Sequence, residues 1–170
     1  KNVSRLSPSQ EQLSSLSDDY QAGRFDEAEK LAVYVTQEFP NHPFAWKVLS
    51  GVLKHNGRVN ESLVASQKAL QLVPEDAEAH SNLGNTLKKL GRLEEAEASL
   101  RRATALKPDF VEAHNNLGNT LQELGRLDEA EASLRQAITL KSDYVEAHNN
   151  LGNTLQELGI LDEAEASYTQ

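Results

Sequence analysis

The chain contains no cysteine and no methionine, and aromatic residues make up only 5% of its 170 residues. The absence of cysteine excludes disulfides, thiolate nucleophiles and sites in which cysteine holds zinc or an iron–sulfur cluster, and it favours a cytoplasmic location. No apolar run approaches the roughly 18 residues that span a bilayer, and no signal-peptide pattern opens the chain. Without a methionine, Lys1 is not a natural start, so we expect a processed chain or an excised piece.

Basic residues are scarce in the last third of the chain. The whole sequence has 17 basic and 26 acidic residues, and its formal net charge is −9. Residues 111–170 contribute 3 of the basic and 11 of the acidic residues, so they hold most of the negative excess. An acidic chain repels phosphate backbones. We therefore do not expect a nucleic acid as the partner, and the lack of a long apolar run means that we do not expect a membrane either.

What the sequence does contain is a period of 34 residues. Five glycines are spaced by this interval, at Gly23, Gly57, Gly91, Gly125 and Gly159. The segment VEAHNNLGNTLQELGRLDEAEAS (111–133) recurs at 145–167 with a single change, from Arg126 to Ile160. Internal periods of this length indicate stacked structural repeats rather than one closed core.

Each repeat is predicted to contain two helices. In the third repeat, His80, Leu83 and Leu87 are separated by three and four residues, which places them on one face of a helix. The same spacing resumes after Gly91, whose freedom to adopt a left-handed conformation suits the end of the first helix. Pro108 is expected to end the second helix.

The first repeat departs from this pattern. Its apolar residues Leu13, Leu16 and Tyr20 lie one residue later relative to the glycine, which predicts an interhelical turn shorter by one residue. The segment 7–10 predicts a capping box with Pro8 at the first helical position.

Three features recur when the repeats are counted from residues 9, 43, 77, 111 and 145. The fourth position holds a ring, a Leu-Gly pair follows it, and a small residue lies in the second helix. These residues are Trp46, His80, His114 and His148; Leu83-Gly84, Leu117-Gly118 and Leu151-Gly152; and Ala28, Ser62, Ala96, Ala130 and Ala164. The pattern resembles the tetratricopeptide repeat (TPR) family. Ser50 and Ser142 depart from it, replacing a glycine and a proline.

The resemblance implies an all-α fold, a right-handed α-solenoid of antiparallel helix pairs. The expected segments are a lead-in (1–8), a divergent capping repeat (9–42), three full repeats (43–76, 77–110 and 111–144) and a truncated fifth repeat (145–170). Because the fifth repeat has no further repeat packed against it, we expect four of its leucines to be partly exposed to solvent. Exposed apolar side chains favour association, so we also expect end-to-end self-association through these leucines. These are Leu151, Leu155, Leu158 and Leu161.

No enzymatic site is predicted. His80, His114 and His148 occupy equivalent places in successive repeats, and packed helix axes are about 8–10 Å apart. Three such imidazoles cannot converge on one metal ion with bonds of about 2 Å. We expect them to fill the place that the family usually gives to tryptophan. Catalytic residues, bound metals and cofactors are accordingly expected to be absent.

In the TPR family, the first helices of the repeats line a concave groove. The residues of this sequence that match the family's groove-facing positions are the predicted ligand-binding residues. Lysines form one half of the groove, which is expected to attract an acidic or phosphorylated ligand. They are Lys47, Lys54, Lys88 and Lys89. The other half, in repeats four and five, is rich in amides and acids. Chaperone-binding TPR proteins hold a C-terminal carboxylate with a set of lysine, asparagine and arginine side chains. Lys47 matches the first lysine of that set, but Gly51 stands where an asparagine is needed and Glu112 where a later lysine is needed. Hsp70 or Hsp90 tails are therefore not expected as ligands.

Asparagines recur at two groove positions in three successive repeats. They are Asn82, Asn116 and Asn150 at position 6, and Asn85, Asn119 and Asn153 at position 9. Asparagine is a poor helix former, whereas its amide offers a donor and an acceptor to an extended peptide backbone. The row resembles the asparagine ladder in the TPR superhelix of O-GlcNAc transferases, and TPR segments that precede glycosyltransferase or sulfotransferase domains in bacterial proteins. The alternatives are that duplication copied functionless polar residues, or that they connect neighbouring repeats.

The predicted function is non-enzymatic binding of a protein or an extended peptide, as the recognition arm of a larger protein. Two alternatives remain open. One is a self-association module. The other is the N-terminal fragment of a glycosyltransferase-type enzyme, with the catalytic domain beyond Gln170.

Overall fold

The computed structural model describes residues 7–169, so most of the expected lead-in (residues 1–6) and Gln170 lie outside the described residues. Within residues 7–169 the chain forms ten α-helices and no β-strand, which confirms the all-α prediction. The helices are α1 (Gln10–Gln21), α2 (Phe25–Glu38), α3 (Pro43–His55), α4 (Val59–Leu72), α5 (Ala77–Lys89), α6 (Leu93–Leu106), α7 (Val111–Glu123), α8 (Leu127–Leu140), α9 (Val145–Glu157) and α10 (Leu161–Tyr168). Odd-numbered helices are the first helices of the repeats, and even-numbered helices are the second.

The chain divides into two units within α5, after Thr86. In the first unit, Leu16, Val35 and Val52 are fully buried in one apolar cluster. The second unit has two clusters, one around Leu100 and Leu121 and the other formed by Leu134, Leu151, Leu155 and Ala164. In each unit the core lies between first and second helices, so each first helix keeps one side free for polar residues.

Every first helix is followed by a glycine in the left-handed region. The φ angles of these five glycines are 73–79°, as predicted from their 34-residue spacing. The next residue then donates its N–H back into the helix, as in the bond from Arg126 N to Leu121 O at 2.9 Å. This is the Schellman arrangement, and it turns the chain sharply into the second helix.

The start of α1 differs from the predicted capping box. Ser9 is the N-cap, and its hydroxyl accepts a hydrogen bond from Gln12 N at 3.1 Å, while Ser9 N donates to Gln12 Oε1 at 2.8 Å. Pro8 therefore precedes the cap instead of occupying the first helical position. The box forms between these residues because Gln12 is the third residue of the helix and reaches back to the cap.

The prediction of a shorter turn in the first repeat is wrong. Three residues (22–24) separate α1 from α2, and three residues (56–58) separate α3 from α4. The shift of the apolar residues is accommodated within α1 instead. Leu16 is fully buried there, at the place where the second repeat has Ser50 and the third has Gly84.

The expectation of exposed leucines in the fifth repeat is only partly met. Leu151 and Leu155 are 4% and 0% exposed because they pack with Leu134 and Ala164 in the core, so the expectation is wrong for these two. Leu158 is half-buried, and Leu161 at the start of α10 is 64% exposed.

A buried hydroxyl network distinguishes the second repeat. Ser50, Ser62 and Ser66 are each at most 1% exposed. The hydroxyl of Ser62 donates to the backbone carbonyl of Ser50 at 2.9 Å and lies 3.0 Å from Thr86 Oγ1, and Ser66 is hydrogen bonded to Ser50 Oγ. Repeats three and four carry glycine, alanine and leucine at the serine positions. Hydrogen bonds therefore satisfy polar groups where those repeats have apolar contacts.

Replacing Ser50 by alanine removes the hydroxyl that pairs with buried Ser66. We expect the free energy of unfolding to fall by about 1–3 kcal/mol, because Ser66 Oγ loses its partner. The triple change Ser50→Gly, Ser62→Ala and Ser66→Leu restores the apolar pattern and should be less destabilising than the single change. Urea unfolding of both variants measures this difference, and a triple variant that is less stable than Ser50→Ala would contradict it.

Candidate ligand-binding faces

The predicted ligand-binding residues lie on α3, α5, α7 and α9, and the two units are described separately. The unit-1 face consists of Lys47, Lys54, Asp76, Glu78, Asn82 and Asn85. The unit-2 face consists of Lys88, Lys89, Glu112, Asn115, Asn116, Asn119, Gln122, Glu123, Glu146, Asn150, Asn153 and Glu157.

On the unit-1 face, Lys47 forms two ion pairs, one with the last residue of its own repeat and one with the first turn of α5 in the next repeat. Its Nζ lies 3.0 Å from Asp76 Oδ2 and 2.8 Å from Glu78 Oε2, and its side chain is 19% exposed. Burial acts to lower the pKa of Lys47, but the hydrogen bonds and negative charges of Glu78 and Asp76 outweigh burial and raise it. The charge of Lys47 is thus balanced within the protein.

The first predicted ladder residue also contacts a neighbouring repeat. Lys54 Nζ donates to Asn82 Oδ1 at 3.3 Å, and Thr86 Oγ1 donates to the backbone carbonyl of Asn82 at 2.9 Å. Within residues 7–169, no hydrogen bond uses the Nδ2 group of Asn82, which therefore keeps its two N–H donors. Asn85, one turn further along α5, is half-buried.

On the unit-2 face, Lys88 bonds to two residues of α7. Its Nζ donates to Asn119 Oδ1 and lies 3.2 Å from Glu123 Oε1. Lys89, the last residue of α5, is exposed. Lys88 therefore holds one ladder amide in a fixed orientation and has its own charge balanced by a carboxylate.

Two further side-chain bonds connect α7 to α9. Asn150 Nδ2 donates to Asn115 Oδ1 at 3.0 Å, and Gln122 Nε2 donates to Glu157 Oε1 at 2.5 Å. Asn115 is 4% exposed, and no other hydrogen bond to its side chain occurs in the described part of the chain. The Nδ2 donors of this nearly buried amide are therefore unused.

The remaining ladder residues differ from one another. Asn116 is half-buried and makes no side-chain hydrogen bond within residues 7–169. Asn153 Oδ1 accepts a hydrogen bond of 2.7 Å from the hydroxyl of Tyr168. Tyr168 was not predicted at this face from the sequence. The sequence feature that could have indicated it is the tyrosine itself, because the equivalent residues of the preceding repeats are Leu100 and Leu134.

The rings at position 4 form one recurring hydrogen bond. Trp46 Nε1 donates to the carbonyl of Pro40 at 2.8 Å. The Nε2 atoms of the three histidines lie 2.8–2.9 Å from the equivalent carbonyls, which belong to Pro74, Pro108 and Ser142. Imidazole thus takes the place of indole, as predicted. In residues 7–169 no group of three or more His, Asp or Glu side chains could hold a metal ion.

The 34-residue units match a known family. The family model for the TPR repeat matches residues 52–91, 84–125 and 119–159. The chain belongs to the TPR family. None of the helices within residues 7–169 combines the length and the apolar character that a membrane span requires.

Solved TPR structures share the fold. MamA is 24% identical over 91% of this chain and 90% of that chain, with a TM-score of 0.78. TTC0263, a thermophilic TPR protein in Thermus thermophilus, is 29% identical over 94% and 88%, with a TM-score of 0.77. YrrB, described as a TPR protein with an unusual peptide-binding site, is 20% identical over 98% and 84%, with a TM-score of 0.75. No curated protein matches the sequence. The predicted α-solenoid of helix pairs is confirmed.

Changing His114 tests the bond at position 4. His114→Phe keeps a ring but removes the nitrogen that bonds to the Pro108 carbonyl. We expect the free energy of unfolding to fall by about 0.5–1.5 kcal/mol. His114→Trp supplies an N–H as Trp46 does and should be the more stable of the two. Thermal unfolding of both variants makes the comparison, and a phenylalanine variant that equals the wild type would exclude a stabilising role for this bond.

Proposed function

We propose that this TPR protein is a non-catalytic scaffold that binds a protein or peptide segment in extended form along its first helices. The observation that carries the proposal is the recurrence of amides with unused hydrogen-bonding groups at Asn82, Asn115 and Asn116. Membership of the TPR family and the peptide-binding site described for YrrB support it. The lack of cysteine supports a cytoplasmic setting for this activity.

Three of the six asparagines contact a neighbouring repeat and still retain groups for a ligand. Asn82 and Asn119 use their oxygens for lysines and keep their N–H donors, whereas Asn150 uses a donor and keeps its oxygen. Binding a peptide backbone and connecting neighbouring repeats are therefore compatible roles for these asparagines. An amide held by the next repeat loses less conformational entropy when it binds a peptide, which favours affinity.

The lysines contribute less charge to the proposed groove than their number indicates. Lys47 is paired with two carboxylates and Lys88 with one. An acidic ligand would have to displace these intramolecular partners before it gained ion pairs of its own. The amides therefore contribute more than the lysines to the proposed binding.

The triple change of Asn82, Asn116 and Asn150 to alanine tests the ladder. Each lost hydrogen bond to a ligand is worth roughly 0.5–1.5 kcal/mol, so the affinity for peptides selected from a random linear library should fall by about tenfold to a thousandfold. Asn116→Ala is the sharpest single test because this amide has no side-chain bond to lose within the described protein. It should weaken binding without lowering the melting temperature.

The matched control is Asn60→Ala, which removes an exposed amide from α4, a second helix. It should change neither affinity nor stability. Isothermal calorimetry and thermal unfolding provide the two readouts. Unchanged affinity together with a lower melting temperature in the triple variant would mean that the asparagines only connect repeats.

Exposed apolar residues on and beside α10 favour self-association as a second candidate function. Ile160, Leu161 and Tyr168 are 39%, 64% and 45% exposed. If these residues form the contact, Leu161→Glu should abolish a concentration-dependent dimer in analytical ultracentrifugation. Val64→Glu is the matched control, because Val64 on α4 is 63% exposed. A wild-type chain that is monomeric at millimolar concentration would exclude this candidate.

A further inference from the structure

Charges in the second unit are segregated between its two kinds of helix. Arginines on α6 and α8, and in the turn before α8, pair with glutamates of second helices at 2.6–2.9 Å. The pairs are Arg101 with Glu97 and Glu129, Arg126 with Glu97 and Glu129, and Arg135 with Glu131 and Glu163. The guanidinium groups of these three arginines are thus used to balance the acids of the second helices.

Helices α7 and α9 of this unit carry acidic residues and no lysine or arginine of their own. α7 and α9 have the same sequence, VEAHNNLGNTLQE, which contains two glutamates and neither lysine nor arginine. Lys88 balances Glu123. Within residues 7–169, no lysine or arginine forms an ion pair with Glu112, Glu146 or Glu157. The unit-2 face therefore has a surplus of negative charge.

Two of these carboxylates act on the same side chain. The hydroxyl of Tyr144 donates to Glu146 Oε2 at 2.9 Å. Burial raises the pKa of the Tyr144 phenol, and the hydrogen bond to Glu146 and the negative charges of Glu146 and Glu112 raise it further. Glu112 and Glu146 come from successive repeats, at the first turns of α7 and α9. Both glutamates therefore add negative charge at the N-terminal ends of these two helices.

Amides follow the carboxylates along the same helices. Asn115, one turn after Glu112, is 4% exposed and uses only its oxygen, for Asn150. A nearly buried amide with free donors can hold a carbonyl group of a ligand. At the far end of α9, Glu157 adds another carboxylate. The distance along the helix from Glu146 to Glu157 is about 16 Å at 1.5 Å per residue, which an extended peptide covers in about five residues.

We propose that the unit-2 face binds an extended basic peptide segment. Lysine or arginine side chains of the ligand pair with Glu112, Glu146 and Glu157, while the amides of α7 and α9 bond to its backbone. The inference rests on the proposed peptide-binding function and adds the charge of the partner. Complementary charge favours this ligand over an acidic one, because Lys88 already has partners within the protein.

The test uses the full chain and a synthetic library of random linear octapeptides. Peptides retained by the immobilised wild-type protein should be enriched in lysine and arginine over aspartate and glutamate. In the variant Glu112→Gln with Glu146→Gln, this enrichment should disappear, and a selected basic peptide should bind about two- to thirtyfold more weakly. Glutamine can still accept the hydrogen bond from Tyr144, so the change removes charge and keeps the local contact.

The matched control is Glu27→Gln with Glu94→Gln, which removes two charges from exposed positions on α2 and α6. It should leave both the enrichment and the affinity unchanged. Retained peptides without charge bias, or enriched in acids, would overturn the basic-ligand inference and leave the proposed peptide binding in place. A library from which the wild type retains nothing would overturn the proposed function itself, and the inference with it.

Discussion

The structure depends on the close approach of the two helices within each pair. A Cβ atom added to Gly118 would lie 2.5 Å from Leu134 Cγ and 3.1 Å from the carbonyl oxygen of Ala130. Ala130 itself is fully buried. Because small residues of both helices meet at this contact, the Leu134 side chain packs directly against the backbone of α7. This packing uses one side of each first helix, and the amides and carboxylates stand on another.

Much of the fold could be predicted because repeated structural requirements leave a repeated signal. A left-handed turn needs glycine, and a close helix contact needs a small residue. Equivalents of Gly125 and Ala130 therefore occur in every repeat at intervals of 34 residues. The details of the first repeat could not be predicted in this way. Its cap depends on which side chains meet in space, and Leu16 replaces a small residue without altering the turn.

The partners of the face residues were harder to predict than their positions. Asn82 bonds to a lysine 28 residues away, Asn119 to one 31 residues away, and Asn150 to an asparagine 35 residues away. Neighbouring first helices place residues about one period apart side by side. A long lysine side chain then reaches several acceptors on the next helix, and the sequence alone does not select one. The serine network of the second repeat was not predicted either, because the sequence does not show which hydroxyl groups of different helices meet.

The identical sequences of α7 and α9 have a kinetic consequence. Under the proposed function, a short ligand that contacts only one of these helices finds the same side chains on the other, although their partners within the protein differ. The second site is roughly 10 Å from the first, the usual separation of packed helices. Under the proposed function, a peptide that dissociates from one helix is therefore still at a high local concentration near the other, which favours rebinding over escape into solution.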